Sequence, residues 1–128
     1  MKFVEKPTTL GAKLRNRRLE LNLLQKDVAE IIGVSEDTIT YWENGRTTPQ
    51  INLNPKLIEF LGFFPFEIDT STLGGKISKH RYEFGYDIAK LAKKIGVNER
   101  TVVKWEQNIR LPHGRNLKKV LSIISCTS

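Results

Sequence analysis

The chain is a tandem repeat, and this repeat constrains the fold more than any other feature. Residues 10–49 recur at residues 73–112 with a constant offset of 63 and no gap. Both copies contain the pair Trp-Glu, as Trp42-Glu43 and Trp105-Glu106. The other identical pairs include Leu10/Leu73, Gly11/Gly74, Lys13/Lys76, Arg18/Arg81, Glu20/Glu83, Ala29/Ala92, Ile32/Ile95, Gly33/Gly96, Val34/Val97, Glu36/Glu99, Thr38/Thr101 and Pro49/Pro112. Such dense self-similarity indicates that the chain contains two copies of one folding unit.

The repeat predicts the domain organisation. A chain of 128 residues divides into two modules of roughly 60 residues, which is near the lower size limit for independent folding. We predict module one at residues 1–62, an apolar linker at residues 63–71 and module two at residues 72–128. The linker sequence Phe63-Phe64-Pro65-Phe66 is too apolar for a free tether, so we expect it to pack between or beneath the modules.

Positive charge is concentrated in the second half of the chain. Residues 1–62 carry nine basic and eight acidic residues, whereas residues 63–128 carry twelve and six. The net charge of +7 is therefore divided as +1 and +6. A basic excess favours polyanionic partners such as nucleic acid or acidic lipid, although surface charge also keeps proteins in solution.

Cysteine content and hydropathy argue against export and membrane insertion. Cys126 is the sole cysteine, so no disulfide framework or metal cluster is expected. The first residues lack an apolar segment, and the longest apolar tract, residues 58–66, is interrupted by Glu59, Gly62 and Pro65. We therefore expect a cytoplasmic protein.

Helical periodicity predicts an all-α fold with four to five short helices in each module. In module one the predicted helices begin after Thr8 or Thr9, at Gln25, after Ser35 and at a cap formed by Asn54-Pro55, and they end near Asn22, Gly33, Asn44 and Gly62. In module two they cover residues 73–84, 88–95, 99–107 and about 116–124, with Thr72, Asp87 and Asn98 as caps. We expect the last helix to bury Leu117, Val120, Leu121 and Ile124, and both tryptophans to be core residues.

A helix, a turn containing glycine and a capped helix form a helix-turn-helix, whose second helix can enter a DNA major groove. The pattern occurs twice here. Its first copy is residues 25–35, followed by Ile39, Trp42-Glu43-Asn44-Gly45-Arg46 and Pro49. This copy resembles the Cro/phage-repressor-type (XRE-like, lambda-repressor-like) helix-turn-helix family. The resemblance extends over about 50 residues of module one and about 40 of module two.

The resemblance implies a set of DNA-contacting residues. The glutamine that opens helix two contacts phosphate in that family, which corresponds to Gln25, whereas module two has Ile88. Helix three and the loop after it supply the other implied contacts, which in module one are Ser35, Glu36, Asp37, Thr40, Tyr41, Asn44 and Arg46. On the equivalent face of module two they are Asn98, Glu99, Arg100, Val103, Lys104 and Gln107, with Arg110 in the loop. The family's ion pair between helices one and three corresponds to Arg18 with Glu43 and Arg81 with Glu106.

The two predicted reading faces differ in charge. Glu36 and Asp37 either stabilise the helix dipole, by about 0.3–1 kcal/mol, or accept a hydrogen bond from cytosine N4 in the major groove. Arg100 and Lys104 are four residues apart and repel each other. They are either solvated cations or contacts to a phosphate or a guanine edge.

We expect sequence-specific binding of duplex DNA by a small, repressor-like transcriptional regulator that reads the major groove with helix three of one or both modules. The alternative is a helix-turn-helix scaffold for protein–protein interaction, because module one has an acidic face and module two has Ile88. The family usually dimerises on palindromic sites, so a homodimer is one arrangement. A covalent pair of modules is another. Nine linker residues reach at most about 30 Å, close to the half-site spacing of about 34 Å, so two adjacent half-sites can be bound only if the modules splay. A packed linker would instead leave one reader and one support domain.

Enzymatic activity is not expected from this sequence. His80 and His113 have no carboxylate or cysteine at ligand spacing, and Gly74-Gly75-Lys76 lacks the spacing of a phosphate-binding loop. No nucleophile–histidine constellation can be assembled. We therefore expect no cofactor, metal or small-molecule ligand. Separately, we expect a bacterial, plasmid or phage context.

Overall fold

The computed structural model describes residues 7–125 and divides the chain into two compact units, the first ending at Phe66 and the second beginning at Glu67. The first unit contains α1 (Leu10–Glu20), α2 (Gln25–Ile32), α3 (Glu36–Glu43), a 3-10 turn (Ile51–Leu53) and α4 (Asn54–Leu61). The second contains α5 (Leu73–Phe84), α6 (Ile88–Ile95), α7 (Glu99–Glu106) and α8 (Gly114–Ser125). Residues 7–125 contain no strand, and the predicted all-α fold is confirmed. Cys126 and the N-terminal residues 1–6 lie outside the described residues. Within the described range, every helix falls short of the length and apolarity that a bilayer crossing requires.

Five helices begin at side-chain caps, as predicted. Thr9, Ser35, Thr72, Asp87 and Asn98 have extended backbones, and each side chain accepts a hydrogen bond from a first-turn amide. The helices α2 and α6 end at Gly33 and Gly96, with φ of 89° and 88°. This left-handed backbone disfavours other residues, so the glycines fix the turn before the next helix.

For the last helix of each module, one prediction was wrong. Asn54 does not cap α4, because the 3-10 turn leads directly into the helix and gives Asn54 helical angles (φ −54°, ψ −42°). A capping residue needs an extended backbone. Leu121 is 49% exposed rather than buried. The inner face of α8 centres on buried Val120 and includes half-buried Ile123, so Leu121 lies on its rim.

Each unit has a hydrophobic core of its own. The first core contains Leu14, Val28, Ala29, Ile32, Ile39, Trp42, Leu57, Phe60 and Leu61. The second contains Ile77, Leu91, Ala92, Ile95, Val102, Trp105 and Val120. Trp42 and Trp105 are 4% and 3% exposed, in agreement with their predicted core positions.

The first helix and the third helix of each unit approach closely at a glycine. A Cβ atom on Gly11 would overlap the carbonyl oxygen of Trp42, and one on Gly74 would overlap that of Trp105. Both glycines belong to the repeat, so this close approach is part of the duplicated unit.

The structural repeat continues beyond residues 10–49 and 73–112. Lys56 on α4 donates from Nζ to the carbonyl oxygen of Ile32 at 3.4 Å, and Lys119 on α8 donates to that of Ile95 at 3.0 Å. These lysines also differ by the repeat offset of 63. In each unit this hydrogen bond therefore joins the last helix to the C-terminus of helix two, where a cation also interacts favourably with the helix dipole.

The apolar segment after α4 packs on the first unit. The rings of Phe64 and Phe66 meet edge to face with centroids 5.3 Å apart. Pro65 between them is buried, and its carbonyl oxygen accepts a hydrogen bond from Lys13 Nζ at 2.7 Å. Residues 63–66 therefore form part of the folded unit.

Candidate nucleic-acid interface

A buried carboxylate lies beneath the helix-turn-helix of module one. The Glu43 side chain is fully buried and accepts hydrogen bonds from Arg18 Nε at 2.7 Å and Nη2 at 2.9 Å. Burial alone would raise the pKa of Glu43. The hydrogen bonds from Arg18 and Gln25 and the charge of Arg18 outweigh burial and lower the pKa of this carboxyl below its ordinary value. The predicted Arg18–Glu43 pair is present, and it joins α1 to the end of α3.

The same carboxylate engages Gln25, the implied phosphate contact. Gln25 Nε2 donates to Glu43 Oε1 at 3.1 Å, and Gln25 Oε1 accepts from Thr40 Oγ1 at 2.7 Å. Both ends of the amide are thus bonded within the protein, and Gln25 and Thr40 are half-buried. The amide nitrogen of Gln25 has a second N–H, so Gln25 can donate to a phosphate and keep both internal bonds, whereas Thr40 has only one hydroxyl proton and uses it within the protein.

The remaining predicted residues of module one are exposed, namely Ser35, Glu36, Asp37, Tyr41, Asn44 and Arg46. Several already have an internal contact. Ser35 Oγ accepts from Thr38 N at 3.2 Å, and Asn44 Oδ1 accepts from Arg15 Nη2 at 3.2 Å. The guanidinium of Arg46 lies 5.8 Å from the centre of the Tyr41 ring. The face is therefore accessible, with two carboxylates in the first turn of α3.

Module two has a simpler polar cluster beneath its helix-turn-helix. Arg81 donates to Glu106 from Nε at 2.7 Å and from Nη2 at 2.9 Å, as predicted. Sequence reasoning missed Ser78, whose hydroxyl donates to Glu106 Oε1 at 2.6 Å. Ser78 occupies the repeat position of Arg15, which donates to Glu43 at 3.4 Å. The repeat offset was the signal that could have identified it. No glutamine is available here, because Ile88 stands at the position of Gln25.

A basic cleft of about 260 Å³ lies between α7, the following loop and the start of α8. It brings together four predicted residues, Asn98, Arg100, Lys104 and Arg110. The other lining residues are Thr101, Trp105, Leu111, Pro112, His113 and Asn116. Three lining side chains are basic and none is acidic, so the cleft favours an anion. His113 was not among the predicted site residues.

The remaining predicted residues of module two do not line this cleft. Glu99 and Gln107 are exposed at the two ends of α7. Asn98 lines the cleft but is also the cap of α7, because its Oδ1 accepts from Thr101 N at 2.9 Å and Thr101 Oγ1 at 2.8 Å. The cationic contacts are thus concentrated on Arg100, Lys104 and Arg110.

The arrangement of α2 with α3, and of α6 with α7, defines a protein with two helix-turn-helix modules. Comparison with known families identifies the family. The family model described as helix-turn-helix matches residues 14–67 and again residues 77–127, and the chain belongs to this family. The predicted tandem resemblance is confirmed, and membership supports a DNA-binding function of the regulator type.

One curated relative is similar over part of its length. It is the "Type II methyltransferase M1.ScrFI" of Lactococcus lactis subsp. cremoris, which is 35% identical over 63 residues. The matched region is 47% of this chain and 16% of the relative, so the chain spans only a small fraction of that protein. No solved structure matches the chain significantly.

Proposed function

We propose that the chain is a small, repressor-like transcriptional regulator that binds specific duplex DNA without catalysis, and that module two is its principal reader. The observation that carries this proposal is the basic cleft, where Arg100, Lys104 and Arg110 meet without an acidic neighbour in the lining. Phosphates attract such a surface by charge, whereas base edges give specificity.

Module one is less suited to the principal contact. Thr40 uses its one hydroxyl proton in a hydrogen bond to Gln25, and Glu36 and Asp37 place negative charge in the first turn of α3. Carboxylates near phosphate oppose binding by charge, although they can accept from cytosine N4. The protein-scaffold alternative is therefore best tested on module one.

Selection of random duplexes by the purified protein, at low and moderate salt, is the first experiment. One enriched sequence box would indicate one reader, and two boxes would indicate two. Retention that salt abolishes, without enrichment, would indicate non-specific binding, because phosphate contacts release counterions. Failure to retain DNA at either salt would overturn the proposal in favour of the scaffold.

Matched variants then assign the reader. Arg100→Ala is compared with Asp37→Ala, and Lys104→Ala with Tyr41→Ala, because each pair occupies one repeat position. If Arg100 reads guanine, its loss should weaken specific binding by about 1–3 kcal/mol, and the loss of a phosphate contact by Lys104 should reduce the salt slope by about one. Fluorescence anisotropy measures both effects. Larger losses from the module-one variants would contradict the assignment to module two.

Two further features stay proposals. A regulator of this kind would work in the cytoplasm of a bacterium or from a plasmid or phage, and it would bind as a covalent pair of modules or as a homodimer. Sedimentation of the protein with and without the selected duplex distinguishes one chain per site from two.

A further inference from the structure

The two modules differ at one corner of their predicted reading faces. In module one this corner is a hydrogen-bonded pair, with Thr40 Oγ1 donating to Gln25 Oε1 at 2.7 Å. The same two repeat positions of module two hold Val103 and Ile88. A polar pair has thus been exchanged for an apolar pair at the start of helix two and the middle of helix three.

The apolar residue on α7 is accessible. Val103 is 36% exposed, whereas its neighbour Val102 is fully buried in the core of module two. Ile88 is half-buried and packs against that core, so it offers no hydrogen-bonding partner. Packing in the core therefore leaves part of the Val103 side chain accessible to a ligand.

Cations accompany Val103 on the same part of α7. Arg100 precedes Val103 by three residues, which places both side chains on one side of the helix. Lys104 follows it and lines the basic cleft together with Arg100. An apolar contact placed among cations matches the major groove, where phosphates flank base edges and the pyrimidine methyl is the apolar group.

We propose that Val103 recognises the C5 methyl group of a pyrimidine in the major groove, which rests on the proposed function of module two. Thymine carries this methyl, and 5-methylcytosine presents the same group at the same position. Side chains three residues apart lie about 5–6 Å apart, and the rise per base pair is about 3.4 Å. A guanine read by Arg100 should therefore lie within about two base pairs of the methyl-bearing pyrimidine.

The test removes the pyrimidine methyl from the DNA and the apolar Val103 side chain from the protein separately. In the selected duplex, each thymine is replaced in turn by deoxyuridine, which removes the methyl and keeps the base pairing. One replacement should weaken binding about fourfold, the factor expected for one buried methyl group. Val103→Ala should weaken binding to the unmodified duplex by a similar factor and should remove the sensitivity to deoxyuridine at that position.

The control variant is Leu121→Ala, because Leu121 is also an exposed apolar residue of module two but lies on α8. It should keep the sensitivity to deoxyuridine. Cytosine and 5-methylcytosine at the same position separate the two sources of the methyl. Equal affinity for thymine and 5-methylcytosine indicates that the methyl alone is read, and preference for thymine indicates that the rest of the base pair contributes.

The outcomes distinguish this inference from the function on which it rests. If the protein binds its selected duplex but no deoxyuridine replacement changes the affinity, the methyl contact is refuted and the DNA-binding function stands. If sensitivity to deoxyuridine persists in Val103→Ala, another residue reads the methyl. If no duplex is retained, the proposed function itself fails and the inference fails with it.

Discussion

Replacing Arg18 with alanine should destabilise module one strongly. The Arg18 and Glu43 side chains are 5% and 0% exposed, and Arg18 also donates to the Leu23 carbonyl oxygen at 3.1 Å. Removing one member of a buried ion pair leaves the other charge uncompensated, which costs about 3–5 kcal/mol. Gln25 and Arg15 would still donate to Glu43, so we expect the lower limit, about 3 kcal/mol. In a module of this size, each kcal/mol lowers Tm by about 4–8 °C.

Calorimetry of the whole chain measures this effect. The core residues of the two units form separate clusters, so the transition of module two serves as an internal reference. Arg81→Ala is the matched variant, and we expect a smaller loss because the Arg81 and Glu106 side chains are 12% and 10% exposed. Water can then partly solvate the carboxylate that remains.

A double variant separates lost charge pairing from lost packing. Arg18→Met with Glu43→Leu removes both charges and keeps apolar volume, so it should recover most of the stability that Arg18→Ala loses. If the double variant is as unstable as the single one, an unpaired carboxylate is not the cause. An unchanged transition in Arg18→Ala would refute the buried pair itself.

Two other perturbations follow from the packing. Gly11→Ala should abolish the transition of module one and spare that of module two, because the new Cβ overlaps the Trp42 carbonyl oxygen; a normal transition would contradict this close approach. Burial lowers the pKa of His80, with Lys94 acting in the same direction and Glu83 opposing. Stability from neutral His80 should be complete above about pH 6.5 and should decline as pH falls towards the lowered pKa. His80→Phe should remove this decline in Tm between pH 7.5 and 5.5, and His113→Gln should retain it.

Helix boundaries were predictable because they depend on local chemistry. The bounds predicted for α2, α5 and α6 agree with the structure, since capping side chains and left-handed glycines act within a few residues of themselves. The boundary of α4 was not predictable in the same way. Asparagine is a common capping residue, but the 3-10 turn before Asn54 gives it helical backbone angles.

The buried polar contacts were predictable only where the family resemblance supplied them. Arg18 with Glu43 was expected from the resemblance, whereas the hydrogen bonds of Gln25 to Glu43 and Thr40 depend on distances between three helices. Ser78 was missed for a similar reason, because a short hydroxyl replaces the long side chain of Arg15 at that position. DNA contact by the predicted residues stays a prediction in both modules.

A lysine holds the last helix of each unit against helix two, although the two last helices differ. Lys56 and Lys119 bond to equivalent carbonyl oxygens, although α4 has 8 residues and α8 has 12. Because the acceptor is a backbone oxygen, this hydrogen bond depends little on which side chains surround it. This anchor therefore depends little on the length or the other residues of the last helix, and the two units share one arrangement at a helix where their lengths and sequences differ.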